Sequence, residues 1–162
     1  MGRTPGVIDK CQSSSTYKRF TLASWPRCGA RSRRARWARG DRPWAKVWPF
    51  IRSQLGLWTN GHNIFLYHHP AQPGAPILCD FGVEVTRTFE TAGEVYATET
   101  PAGEAAVAVH RGPYNRMNEA HDAIRKWMAA NRRESAGHSW EIYGDPTPDP
   151  ANTETTIVYL LK

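Results

Sequence analysis

The chain has 162 residues, 40% of them hydrophobic and 22% charged, enough for one domain with an ordinary core. Its formal net charge is +6, yet residues 1–42 hold 11 Lys and Arg against 2 Asp and Glu, whereas residues 43–162 hold 10 against 13. The basic excess belongs to the first stretch alone, so the total does not describe a nucleic-acid-binding face on folded structure. Cys11, Cys28 and Cys79 form no CxxC pair, which argues against a disulfide framework and a zinc ribbon. No apolar run approaches the ~20 residues of a membrane span. Nor does an apolar signal segment open the chain, and the expected compartment is the cytoplasm.

Residues 1–42, with the charge run Arg31-Ser32-Arg33-Arg34-Ala35-Arg36, read as a basic, disordered or loosely attached leader. Within it only Tyr17-Lys18-Arg19-Phe20-Thr21-Leu22-Ala23 looks strand-like. The folded domain is expected over 43–162. Trp44, Val47, Trp48, Ile51 and Leu55 mark a first helix; Pro49 requires it to begin near Ala45 and Lys46 or to kink. Gly56 and the turn Thr59-Asn60-Gly61 end it. Strands follow over 62–69 and 77–88, separated by a proline-rich loop, then over 94–98 and 105–109.

A second helix starts at Gly112-Pro113, since proline at the first helical position has a preset φ and no donor to lose. Tyr114, Met117, His121, Ile124 and Met128 give it one apolar face, and Asp122 and Lys126 stand four apart on the wet side. Residues 131–137 form a polar stop. Trp140-Glu141-Ile142-Tyr143 then alternates, with Glu141 and Tyr143 on one side and Trp140 and Ile142 on the other. A loop with three prolines over 145–150 precedes a last strand over 155–161. The expected class is α+β, with a mostly antiparallel sheet.

Glu141 is the most informative residue. On a wet edge strand it would be unremarkable. Aimed into an aromatic pocket, it would cost several kcal/mol unless a ligand, cation or donor completed it. The six histidines do not make a metal site: His68 and His69 take opposite strand faces, and no ligand-spaced cluster accompanies them. His121 reads as a satisfied core or pocket residue, and Cys79 as a small buried hydrophobe. No glycine-rich phosphate loop is present, no cofactor is implied, and no helix-turn-helix precedes the domain.

The run His110-x-Gly112-Pro113-Tyr114, a helix, Trp140-Glu141-x-Tyr143 and a closing strand resembles the GyrI-like small-molecule-binding domain, the effector-binding half of many AraC- and MerR-type regulators. The resemblance covers roughly residues 44–162. It implies two pseudo-symmetric strand-helix-strand-strand modules with a ligand cleft between them, lined by aromatic residues above an acidic floor. Matched by position, Glu141 takes the acidic role, Tyr143 shares its strand face, and Tyr159 lies on the neighbouring final strand. Tyr114 and Trp140 are further lining candidates, joined from the first module by Trp48, Asn63 and Tyr67.

Such a site suits flat, lipophilic, often cationic molecules, through stacking and cation–π attraction of roughly 0.5–2 kcal/mol per ring. The expected role is sensing, sequestration or toxin protection by a stand-alone binding module. One alternative implied by the resemblance is a hydrolase of strained-ring genotoxic compounds, with Glu141 as general base and Tyr143 or Tyr159 as donor. Another is a modulator that binds a protein such as a topoisomerase. No second titratable group stands out beside Glu141 in the sequence, which favours binding over catalysis.

Overall fold

The computed structural model describes residues 19–28, 44–57, 61–75 and 77–162. Among them are two helices and seven strands, and within each of the two units below the strands pair antiparallel. The chain divides after Thr100 into two compact units. Both repeat one plan, in which a strand, a helix and a second strand are followed by a third strand that pairs with each of the other two.

In the unit ending at Thr100, β1 (Arg19–Cys28) leads to α1 (Trp44–Ser53), β2 (Asn63–His68) and β3 (Ile77–Glu84), and β4 (Val95–Glu99) is added at the far side of β1. β3 is central, pairing with β1 from Phe20↔Glu84 onward and with β2 from Asn63↔Val83 to His68↔Leu78. Composition placed residues 19–28 in a loosely attached leader; they are instead a sheet strand between β3 and β4. The run Phe20-Thr21-Leu22, already strand-like in sequence, is β-forming on its own, whereas the average over a long basic stretch reads as a leader. The other residues of the expected leader lie outside the described residues.

α1 runs from Trp44 with Pro49 inside it, rather than starting after Trp44. It packs on β1, β3 and β4. Val47, Ile51 and Leu57 meet Phe81, Val83 and Val85 in a buried apolar cluster, bordered by Trp48, Phe50, Phe65 and Phe89. Burial of each large aliphatic side chain contributes about 1.5–3 kcal/mol. The turn expected at Thr59-Asn60-Gly61 is partly outside the described residues. Gly61 itself lies so close to Glu84 that an added Cβ would sit 2.6 Å from the Glu84 backbone oxygen, which restricts this position to glycine.

In the second unit, β5 (Ala105–Arg111) leads through a 3-10 turn (Tyr114–Arg116) to α2 (Asn118–Ala130), β6 (Ser135–Tyr143) and β7 (Glu154–Leu161). β7 is central here, pairing with β5 (Ala106↔Tyr159, Ala108↔Ile157) and with β6 (Glu141↔Ile157, Tyr143↔Thr155). α2 begins later than the Gly112-Pro113 signal predicts, because Pro113 opens the 3-10 turn instead. β6 begins inside the expected polar stop, at Ser135. On the wet face of α2, Asp122 pairs with Arg125 rather than Lys126. The core of this unit joins Ala120 and Ile124 of α2 to Ala106, Ala108, Ile157, Tyr159 and Leu161, with Trp127 and Met128 at its margin. Small alanines on β5 let the helix approach closely, and they leave room along it for larger polar side chains.

Candidate functional site: a buried glutamate under the second helix

Strand alternation puts Glu141 and Tyr143 on the same face of β6, opposite Ile157 and Thr155 of β7. Ile157 belongs to the core under α2, so Glu141 stands on the helix-covered face and is only 5% exposed. One helical turn before the core residue Ile124, His121 projects from α2 toward the same face. Its Nε2 is 3.1 Å from Glu141 Oε1, and its Nδ1 is 3.1 Å from the Tyr159 hydroxyl. The Tyr143 hydroxyl donates to Glu141 Oε2 at 2.6 Å. Each carboxylate oxygen therefore meets a protein hydrogen-bonding group, which offsets the several kcal/mol that burying a bare carboxylate costs.

Beyond Tyr159 the network reaches the surface. Burial pushes the Tyr159 phenol above its ordinary range, and the charge and hydrogen bond of Arg125 oppose that rise. Arg125 also holds Asp122, at 2.5 Å. On the other side, the Tyr114 ring meets Tyr143 edge-on, with centroids 5.4 Å apart and planes at 63°. The turn after β5 sets Tyr114 there. Gly112 adopts φ +131°, a conformation that L side chains avoid, and its amide donates to the Thr153 carbonyl at 2.9 Å. His110 Nε2 braces the turn at 3.1 Å from the Pro113 carbonyl. Next to Tyr143, Thr155 is fully buried and its hydroxyl has no hydrogen-bond partner among the described residues.

Of the residues singled out in the sequence, Glu141, Tyr143, Tyr159 and Tyr114 come together in this unit. Tyr114 differs from its expected place in one respect: its ring is 51% exposed and belongs to the 3-10 turn, not to the apolar face of the helix. Trp140 is buried, but it stands opposite Val158 on the alternate face from Glu141. Trp48, Asn63 and Tyr67 belong to the other unit. There Trp48 borders the apolar layer with the Arg52 guanidinium 5.6 Å from its ring centroid. Tyr67 stacks with Phe65 at 6.4 Å, and Asn63 Oδ1 is buried without a hydrogen-bond partner among the described residues.

The sequence reading found no second titratable group beside Glu141; His121 is that group. Its position on the apolar helix face was the available signal, but periodicity alone could not say which strand residue it would meet. Asp80 was also missed. It is 3% exposed on β3, with Oδ2 2.7 Å from His68 Nε2. Burial first, and then the Asp80 charge and a hydrogen bond to it, push the Tyr96 phenol upward. Among the described residues no group of three or more His, Cys, Asp or Glu could hold a metal ion. No helix among them is long and apolar enough to cross a membrane.

The second unit is thus a strand-helix-strand-strand module with a carboxylate buried beside two tyrosines and a histidine. Residues 41–162 match the GyrI-like small molecule binding domain, and the chain belongs to that family. No curated protein matches the sequence significantly. Among solved structures, the EcmrR C-terminal domain is similar, with a TM-score of 0.68 at 18% identity, covering 90% of this chain and 92% of that one. EcmrR in its DNA complex aligns with a TM-score of 0.67 at 18% identity, covering 90% of this chain but only 54% of that one. This chain thus spans about half the length of that regulator. A hydrolase from Listeria innocua aligns with a TM-score of 0.57 at 10% identity, covering 90% of this chain and 88% of that one. At these identities the likenesses show the fold alone.

Proposed function

We propose that the chain binds lipophilic organic cations at Glu141, with Tyr143, Tyr159 and Tyr114 as the aromatic surround, and so senses, sequesters or neutralises them. The observation that carries this reading is a carboxylate buried among tyrosine rings in a small-molecule-binding domain. A cation over an aromatic face gains roughly 0.5–2 kcal/mol, and more where water is excluded. The carboxylate adds an opposite charge whose attraction is strengthened by the same exclusion.

The test is a fluorescence titration of a rhodamine cation and of a neutral aromatic ligand of similar size, against the parent and Glu141→Gln. The cation should lose at least ~10-fold in affinity in the variant, about 1.4 kcal/mol, while the neutral ligand changes little. Parallel affinities across the four titrations would remove Glu141 from the site.

A second reading is favoured by one observation, the imidazole at hydrogen-bonding distance from Glu141. A carboxylate beside a histidine and two phenols has the parts for general acid–base hydrolysis of an electrophilic ligand. In that case Glu141 would direct water and Tyr143 or Tyr159 would act as donor. Overnight incubation of candidate ligands with the protein, followed by mass spectrometry, separates the two. Recovery of unchanged ligand supports binding alone.

A further inference from the structure

Resting on the proposed place of Tyr114 in the ligand's aromatic surround, we infer that His110 is a positioning residue for binding. Its imidazole ties the turn that carries Tyr114 to the sheet, and so sets the affinity for an aromatic ligand that it does not itself touch.

The turn has little of its own to hold it. Tyr114, Asn115 and Arg116 form a single 3-10 turn in which no residue is buried, and no side chain caps its start. Such turns have poorer hydrogen-bond geometry than an α-helix, and segments with few apolar contacts open at low cost. The Tyr114 ring is half exposed and meets Tyr143 edge-on. A ring that waits in solvent must already be near its bound place, because ordering it on binding subtracts from affinity.

His110 supplies that hold. It lies near the end of β5, paired with Thr155 of β7, and is only 4% exposed. Its ring runs beside Gly112, where an added Cβ would stand 3.8 Å from both Cε1 and Nε2. Nε2 then reaches the Pro113 carbonyl at 3.1 Å. A carbonyl only accepts, so Nε2 carries the proton and donates. The same carbonyl accepts the Arg116 amide at 3.0 Å, within the turn itself. One oxygen, a single residue before Tyr114, therefore joins the turn's internal bonding to a side chain rooted in the sheet. The Gly112 amide, fixed to the Thr153 carbonyl, secures the chain on its way in.

A histidine that only filled space here would be replaceable by any ring of like size. One that positions Tyr114 needs its N–H donor, and it affects binding only while Tyr114 is present. A rhodamine cation is titrated by fluorescence against the full chain, His110→Phe, His110→Gln, Tyr114→Ala and the double variant His110→Phe/Tyr114→Ala. Phenylalanine keeps a ring without the donor, whereas glutamine keeps an N–H near the place of Nε2.

His110→Phe should weaken binding about three- to tenfold, the range of one hydrogen bond, and His110→Gln should stay within about twofold of the parent. On the Tyr114→Ala background, itself several-fold weaker, adding His110→Phe should change affinity by less than about twofold. Three outcomes overturn the inference and leave the Tyr114 site standing: parent-like binding by His110→Phe, an equal loss with and without Tyr114, or a His110→Gln chain as weak as His110→Phe. If Tyr114→Ala binds the dye as the parent does, the proposed surround fails, and the inference with it. A nitrogen-15 NMR spectrum of the parent at mildly alkaline pH needs neither variant nor ligand. It should show the His110 ring protonated on Nε2; a proton on Nδ1 alone removes the tether and overturns the inference.

Discussion

The two units share a plan but spend their interiors differently. Under α1 a buried apolar cluster joins Val47, Ile51 and Leu57 to Phe81, Val83 and Val85, with Asn63 of β2 opposite Val83 on the same sheet face. Under α2 the equivalent layer contains His121, Glu141 and Tyr159 among alanines and isoleucines. The first unit does bury a carboxylate, Asp80, but alternation along β3 sets it on the face away from Phe81 and Val83. A helix over a sheet is stable when the layer between them is apolar. Replacing part of that layer by a hydrogen-bonded network gives up hydrophobic stabilisation and gains a polarised interior. The comparison sets an apolar cluster under one helix against a hydrogen-bonded polar network under the other.

The comparison can be broken most severely by removing β1. Deleting residues 1–40 takes away the strand that pairs with both β3 and β4. The expected result is loss of cooperative folding in the first unit, or a melting temperature lower by more than about 10 °C. A truncated protein that melts within a few degrees of the parent would show that the strand is not needed.

Next in size are matched core truncations. Ile51→Ala and Ile124→Ala each empty a position that is almost fully buried, and each should cost about 2–5 kcal/mol in urea unfolding. If the second unit trades stability for polarity, its imperfectly apolar layer should relax more easily, so Ile124→Ala is expected at the lower end of that range and Ile51→Ala at the upper.

Glu141→Gln sharpens the contrast at about 1–3 kcal/mol. In glutamine one carboxylate oxygen becomes an amide nitrogen that only donates, so the bonding to His121 Nε2 or to the Tyr143 hydroxyl must rearrange. The variant should be less stable than the parent, whereas a wet glutamate would show no change in denaturation midpoint.

Alkaline titration comes next. The Tyr159 phenol is held above its ordinary range by burial, so the folded state retains its proton where the unfolded chain has lost it. The stabilisation is complete below a pH of about 10 and declines as pH rises beyond it. Tyr159→Phe should flatten that part of the stability profile; an equal alkaline slope in parent and variant would place the effect elsewhere.

The smallest stability effect is expected for Tyr114→Ala. Half exposed and held mainly by its edge contact with Tyr143, the ring should contribute less than about 1 kcal/mol to folding, near the range of ordinary surface changes. Its removal should nonetheless weaken binding of an aromatic ligand several-fold, measured in the same titrations.

Much of this was legible in the residues. Alternation along β6 put Glu141 and Tyr143 on one strand face, and the family resemblance, not periodicity, grouped Tyr114 and Tyr159 with them. Trp140 was readable too, since alternation alone sends it to the opposite face. What was not legible has physical reasons. The β pattern of Tyr17–Ala23 was visible, but it was assigned to a leader because the stretch around it is on average basic and polar. His121 looked like filler because helical periodicity specifies a face but not the residue across from it. Asp80 gave no signal at all, because an acidic residue in a strand reads as solvent-facing until the burial of that face is known.

The order of the strands has a kinetic consequence. In the second unit the middle strand, β7, comes after the two that flank it, and β5 and β6 have no pairing partner in this unit until β7 arrives between them. Pairings such as Ala106↔Tyr159 span a long loop whose closure entropy must be met before contacts repay it. Until then two strand edges stay open to mispairing. β7 also brings Tyr159, the residue that completes the bonding of His121. The insertion that closes the sheet and the assembly of the polar interior are thus one event, and a chain stalled before that event has neither.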